Sequence, residues 1–197
     1  MRVKSAIVAA LICLSTAGLA QDSYFPSGAL SDYDRGDSAR ARWYSEQLKA
    51  LDEPSLLAEA KNTSTQSYRF LWLRSFHNPI AVRLDVMADG TGRITVKVAN
   101  GAGGYKPGKL IKNTSRSMAQ EKTDKFLEQI KEAGFWKIPS YEKTFGFDGA
   151  QWIIEGVKDG KYHVVDRWTP SKGPIRELGM TLAFTLAQLK IPQDELY

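Results

Sequence analysis

One cysteine in 197 residues, Cys13, is all the thiol this chain contains. It lies inside an apolar run from Ala6 to Leu14, behind Arg2 and Lys4 and ahead of Gly18-Leu19-Ala20. That order, a positive start, an apolar stretch and small residues at a cleavage point, is the pattern of a secretory signal peptide. The run is too short to span a bilayer, and Leu11-Ile12 does not offer the small residue that a lipid-attachment signal places before its cysteine. Residues 1–20 are therefore expected to be removed, leaving a cysteine-free mature chain that is periplasmic or secreted. Without a thiol, disulfides, thiolate metal sites and cysteine nucleophiles are excluded, and packing must supply the stability.

Other absences narrow the chemistry. There are two histidines, His77 and His163, with no metal-ligand spacing around either, so no metal and no cofactor is expected. No Gly-x-Ser-x-Gly elbow is present. Gly103-Gly104-Tyr105-Lys106-Pro107-Gly108-Lys109 approaches a phosphate-binding loop, but Leu110 replaces the Ser or Thr that would hold Mg²⁺, and Pro107 removes a backbone donor. It reads instead as a flexible connection carrying Tyr105 beside a ligand site. No second apolar segment approaches spanning length, so no transmembrane segment is expected in the mature chain. Without Arg2 and Lys4 the balance is 25 basic to 22 acidic side chains, too even for a nucleic-acid binder.

What is present fits a single α+β domain over 37–192, preceded by a mobile leader at 21–36 that mixes Ser, Gly, Asp and Pro without periodicity. Trp43, Tyr44, Leu48 and Leu51 put a stripe on a helix over 38–51, and Pro54 opens a short helical turn toward Ala60. Strands are expected near 68–76, 79–88, 92–99, 109–116, 150–158 and 161–168. Ser117-Met118-Ala119-Gln120 has the form of a capping box for a helix that Gly134 stops. Gly173-Pro174 starts a last helix on Ile175, Leu178, Leu182, Leu186 and Leu189. The fold class is thus α+β, a curved and mainly antiparallel sheet of five to six strands with two to three packed helices.

Register carries the functional argument. A three-residue turn Asp89-Gly90-Thr91 pairs Val86 with Ile94 and Leu84 with Val96; a His77-Asn78 connection pairs Leu71 with Leu84 and Leu73 with Val82. The aliphatic residues then share one face. The reverse face carries Tyr68, Phe70, Trp72 and Arg74 with Arg83 and Asp85, Trp72 lying opposite Arg83. The ordinary fate of such a face is to be covered by a helix. The functional alternative is an exposed platform for a sugar, peptide or envelope polymer, bordered by Tyr105.

The last hairpin holds the densest ionisable cluster. A two-residue Asp159-Gly160 turn sets Ile153 opposite Asp166, Glu155 opposite Val164 and His163 over Gly156, with Glu155 and Asp166 diagonal on one face. A coupled carboxylate pair in a cleft supplies a general acid and a general base. The plainer reading makes both carboxylates structural partners of Arg69, Arg74 or Arg83, or leaves them facing water.

Glu53-Pro54-Ser55-Leu56, the run Tyr68 to Phe76, Gly101-Ala102-Gly103-Gly104-Tyr105, Asp148-Gly149-Ala150-Gln151-Trp152 and Tyr162 to Trp168 together resemble an uncharacterised family of exported bacterial proteins. The resemblance spans about residues 40–190 and implies an envelope-side location, with no known activity attached. The functional expectation is a non-catalytic binding or interaction module of the cell envelope, using Tyr68, Phe70, Trp72, Arg74, Arg83, Asp85 and Tyr105, with an envelope polymer or a periplasmic protein as partner. The alternative is a hydrolase using Glu155 and Asp166, with His163 nearby.

Overall fold

The computed structural model describes residues 23–144 and 146–197; the expected signal segment at 1–20 lies outside them. Six strands form one open, curved, antiparallel sheet: β1 (Ser67–Arg74), β2 (Ile80–Val86), β3 (Gly92–Ala99), β4 (Leu110–Met118), β5 (Ala150–Lys158) and β6 (Lys161–Trp168). Their order across the sheet is β4-β3-β2-β1-β5-β6. Helix α1 (Asp34–Ala50) and the short α2 (Leu56–Glu59) precede the sheet, α3 (Gln120–Glu132) joins β4 to β5, and α4 (Pro174–Met180) continues as a π-helical turn, Thr181–Leu186. No helix among the described residues is long and apolar enough to cross a membrane.

Strand β1 is central and buried along its whole length. Both of its faces are therefore core faces, and this is what defeats the expected register. Tyr68 pairs with Leu84, Phe70 with Val82 and Trp72 with Ile80, three residues away from the alignment that sets Leu73 against Val82. The reason lies in the 75–79 connection, whose polar groups are used by other segments. Ser75 N–H donates to Gly149 O, Gly104 N–H to Ser75 O and Gly103 N–H to His77 O, while the Asn78 amide donates to Ala99 O. A shift of three reverses the faces. Tyr68, Phe70 and Trp72 thus lie with Ile80, Val82 and Leu84 in a core closed by Phe126 and Ile130 of α3 and by Ile175, Leu178 and Leu182. Leu71 and Leu73 face the other way, into a second core with Tyr44 and Leu48 of α1.

The β2–β3 hairpin departs by two residues, Leu84 meeting Ile94 and Val82 meeting Val96, so its apolar side is unchanged. Its loop is closed by Met87 N–H donating to Thr91 O and by the Asp89 carboxylate accepting from Thr91 N–H. The β5–β6 hairpin is as expected. Asp159 (φ 51°) and Gly160 (φ 74°) form the left-handed two-residue turn that matches strand twist, and Glu155 pairs with Val164, Ile153 with Asp166.

Two further expectations fail locally. Ser117 stays in β4, so no capping box forms, and α3 starts after Ala119 without a side-chain cap. The segment expected to be a mobile leader is packed from residue 23 onward. Phe25 and Leu30 are buried, and the Asp37 carboxylate accepts from Gly28 N–H at 2.9 Å and Leu30 N–H at 2.8 Å. Two apolar anchors and an acceptor supplied by the following helix order a stretch that has no periodicity of its own.

A candidate binding cleft at one end of the sheet

Residues 40, 43, 44 and 47 recur on one side of α1, the spacing that turns them toward the same surface. Trp43 Nε1–H donates to Gly103 O at 2.9 Å, and the Gln47 amide donates to Gly103 O at 3.2 Å and to Tyr105 O at 2.9 Å. The loop these two side chains hold is a narrow hairpin of its own: Asn100 N–H donates to Lys109 O and Gly101 N–H to Pro107 O. It is thus docked, not a flexible connection. A Cβ at Gly103 would sit 2.7 Å from the β1 backbone at Leu73 and Arg74, so only glycine permits the approach. Held in this way, Tyr105 projects from the loop tip 64% exposed, its ring 6.3 Å from that of Phe76.

Beside Tyr105 lies a cleft of about 260 Å³. Arg40 and Trp43 of α1 form one wall, Leu73, Gln151 and Trp168 the floor, and Thr144, Gly146 and Phe147 the far wall. Leu73 pairs with Gln151 and Gln151 with Trp168, so three adjacent strands present the floor. Of six large apolar side chains exposed among the described residues, Tyr105 and Phe147 line this cleft and Phe76 touches Tyr105. Three of those six side chains are thus in or beside one concave place.

Asp166 lies two residues before Trp168 on β6, on the same face, and ties the cleft wall to the sheet. Its Oδ2 accepts from Tyr44 O–H at 2.8 Å and from Arg40 Nη1 at 3.3 Å, while its buried Oδ1 has no partner. Burial, opposed by the Tyr44 hydrogen bond and the Arg40 and Arg167 charges, raises its pKa to about 6.

The remaining expected site residues are dispersed. Tyr68, Phe70, Trp72 and Arg74 are all at or below 2% exposure, so they form no open platform. Trp72 packs against Phe70 and Trp152, and its indole N–H and that of Trp152 both donate to Tyr197 O. Arg74, not Arg83, lies over the Trp72 ring, at 4.7 Å. Arg83 and Asp85 are on the opposite sheet face and bond each other. There they join a buried ionic network. Arg69 donates through Nε and Nη2 to Glu155 Oε2 at 2.8 and 2.6 Å and through Nη1 to Glu53 Oε2 at 3.2 Å; Arg83 and Lys97 also pair with Glu53. Glu155 accepts a third bond, at Oε1, from Tyr162 O–H at 2.9 Å and has no exposed surface. Its carboxyl is pushed up by burial against the opposing effect of Arg69.

Glu155 and Asp166 do share a face, as expected, yet different cations hold them and neither lines the cleft. His163 faces the other core, where its ring meets Phe135 at 5.1 Å and Nε2 contacts Ile138 O at 3.0 Å; burial lowers its pKa. The structure therefore does not assemble the three. Among the described residues no group of three His, Cys, Asp or Glu side chains is placed to hold a metal ion. No family model and no curated protein matches the chain.

Of the cleft residues, only Tyr105 was expected. Arg40, Gln151, Phe147 and Trp168 come from segments far apart in sequence, and Trp43 was expected only as a helix-face residue. One local signal marks the place: the Gly101–Gly104 run immediately before an aromatic residue.

Proposed function

We propose that the protein is an exported, non-catalytic binding module of the cell envelope, and that it takes a glycan strand in the Arg40–Tyr105–Trp168 cleft. The observation that carries this reading is the concentration of exposed aromatic rings around a concavity that also holds a guanidinium and a primary amide. Aromatic faces pack against the C–H faces of sugar rings, and Arg40 and Gln151 offer donors to hydroxyl and carboxylate oxygens. Glu155 is sealed and fully engaged by Arg69 and Tyr162, so a hydrolase reading has no accessible carboxylate pair to work with.

The test is co-sedimentation of the purified protein with isolated, insoluble envelope glycan. The Tyr105→Ala/Phe147→Ala double variant is expected to lose retention by about tenfold or more while its melting temperature stays within about 2 °C of the parent, because both side chains are exposed. Retention equal to that of the parent would overturn the proposal.

A further inference from the structure

A second and larger concavity lies at the other end of the sheet, under α3. Its volume is about 640 Å³, within the usual range of small-molecule sites. The floor is apolar: Leu127 and Ile130 of α3, the ring of Tyr68, and Phe135 and Trp136 of the short 3₁₀ turn (Phe135–Lys137) that follows the left-handed Gly134. Trp136 is half-buried and has rings on three sides, with centroids 6.3 Å from Tyr68, 5.4 Å from Phe135 and 6.3 Å from His163. It is fixed in place while one side of it remains open to the groove.

The rim has a different character. Lys131, Lys137 and Lys158 come from α3, the 3₁₀ turn and the end of β5, and all three are exposed. Among the described residues none of them is within ion-pair distance of a carboxylate, whereas Lys97, Lys106, Lys125 and Lys143 each have an acidic partner. The acidic groups nearby are Glu128, which also lines the groove, and Asp159, which follows Lys158. Cations outnumber anions at the rim, and those cations are uncommitted. Phosphate or carboxylate oxygens would bind there at little cost in competing pairs.

We propose that this groove binds an amphipathic anion, a phosphate or carboxylate carried on an acyl or aryl body, with the body on Trp136 and the acid head among Lys131, Lys137 and Lys158. The site is separate from the Tyr105 cleft, and neither proposal requires the other.

Calorimetric titration of the full protein with octyl phosphate and with octanoate tests it, with 1-octanol as the neutral body and inorganic phosphate as the bare head. Saturable binding of octyl phosphate or octanoate is expected, at least tenfold tighter than either octanol or inorganic phosphate. The Lys131→Gln/Lys137→Gln/Lys158→Gln variant, whose changes are all exposed, should lose that advantage and keep its melting temperature. Trp136→Phe should weaken binding severalfold, and Tyr105→Ala should leave it unchanged. Preference for octyl phosphate over octanoate identifies a phosphate head, and the reverse a carboxylate. Absence of saturable binding, equal binding of octanol, or full binding by the triple Gln variant would overturn the proposal. A Tyr105→Ala protein that still binds octyl phosphate but has lost envelope glycan would separate the two sites.

Discussion

The two faces of the sheet are covered by different chemistry, although they share the strand β1. On the α3–α4 face, Tyr68, Phe70, Trp72 and Trp152 meet aliphatic side chains, and the two indole N–H groups both donate to the main-chain oxygen of Tyr197. On the α1 face the intervening residues include Arg69, Glu155 and Asp166, all at or below 2% exposure, beside Leu71 and Leu73. The first face is held mainly by packing, its directional demands confined to those indole N–H groups and to Arg74, which pairs with Glu195. The second requires each charge to find its partner, and in doing so it fixes α1, the 51–55 segment and the wall of the cleft. Buried ion pairs contribute little net stability compared with apolar packing, but removing one partner leaves an uncompensated charge. The cleft stands on the charged face, where Arg40 is shared between Asp166 and the cavity.

This contrast is open to direct attack. The largest effect should follow Arg69→Met, which leaves Glu155 buried without its cation and takes from Glu53 one of its three. Loss at the top of the ~3–5 kcal/mol range is expected in denaturant melts, and Glu155→Leu added to it should restore much of the stability. Trp152→Ala, on the other face, should cost about 3–4 kcal/mol by creating a cavity, and no second polar change should rescue it. If both faces respond alike to a compensating mutation, the distinction between them fails.

Asp166 gives the next effect, and its sign is determined. Its pKa in the folded protein, about 6, exceeds the ordinary 3.8, so the folded state binds this proton more tightly than the unfolded state does. The resulting stabilisation is complete below about pH 3.8 and is lost as pH rises through about 6. Compared with Asp166→Asn, the parent should therefore lose on the order of 2–3 kcal/mol between pH 4 and pH 7. Thermal melts of both proteins across that window check it; parallel curves would contradict it. A smaller change, about 1–2 kcal/mol, is expected for Asp37→Ala, which leaves the buried Leu30 N–H without its acceptor. Smallest of all is Tyr105→Ala, within about 0.5 kcal/mol.

How far the sequence foretells this molecule depends on which residues are asked. Turn chemistry was legible where it is local: Asp159-Gly160 dictates the β5–β6 register and with it the shared face of Glu155 and Asp166. The same reasoning failed for β1. Alternation identifies a face only when the opposite face is wet, and in 67–74 both faces are buried, one by aromatic rings and one by Leu71, Leu73 and a neutralised Arg69. Pairing aliphatic with aliphatic was then no guide, because the true partners of Leu84, Val82 and Ile80 are Tyr68, Phe70 and Trp72. The cleft was legible only at Tyr105, since its other walls are brought together by the long-range order β1-β5-β6 and by the packing of α1.

Five tryptophans distributed over these regions provide the most direct measurement. Trp43 and Trp168 border the cleft, Trp72 and Trp152 lie in the apolar core, and Trp136 lines the second groove. In a ¹⁵N-resolved spectrum of the indole N–H groups, titration with soluble fragments of envelope glycan should move the Trp43 and Trp168 resonances. Those of Trp72, Trp152 and Trp136 should stay where they are. A saturable shift at Trp136 alone, or glycan that leaves Trp43 and Trp168 unmoved at saturating concentration, would contradict the assignment of the cleft as the binding site.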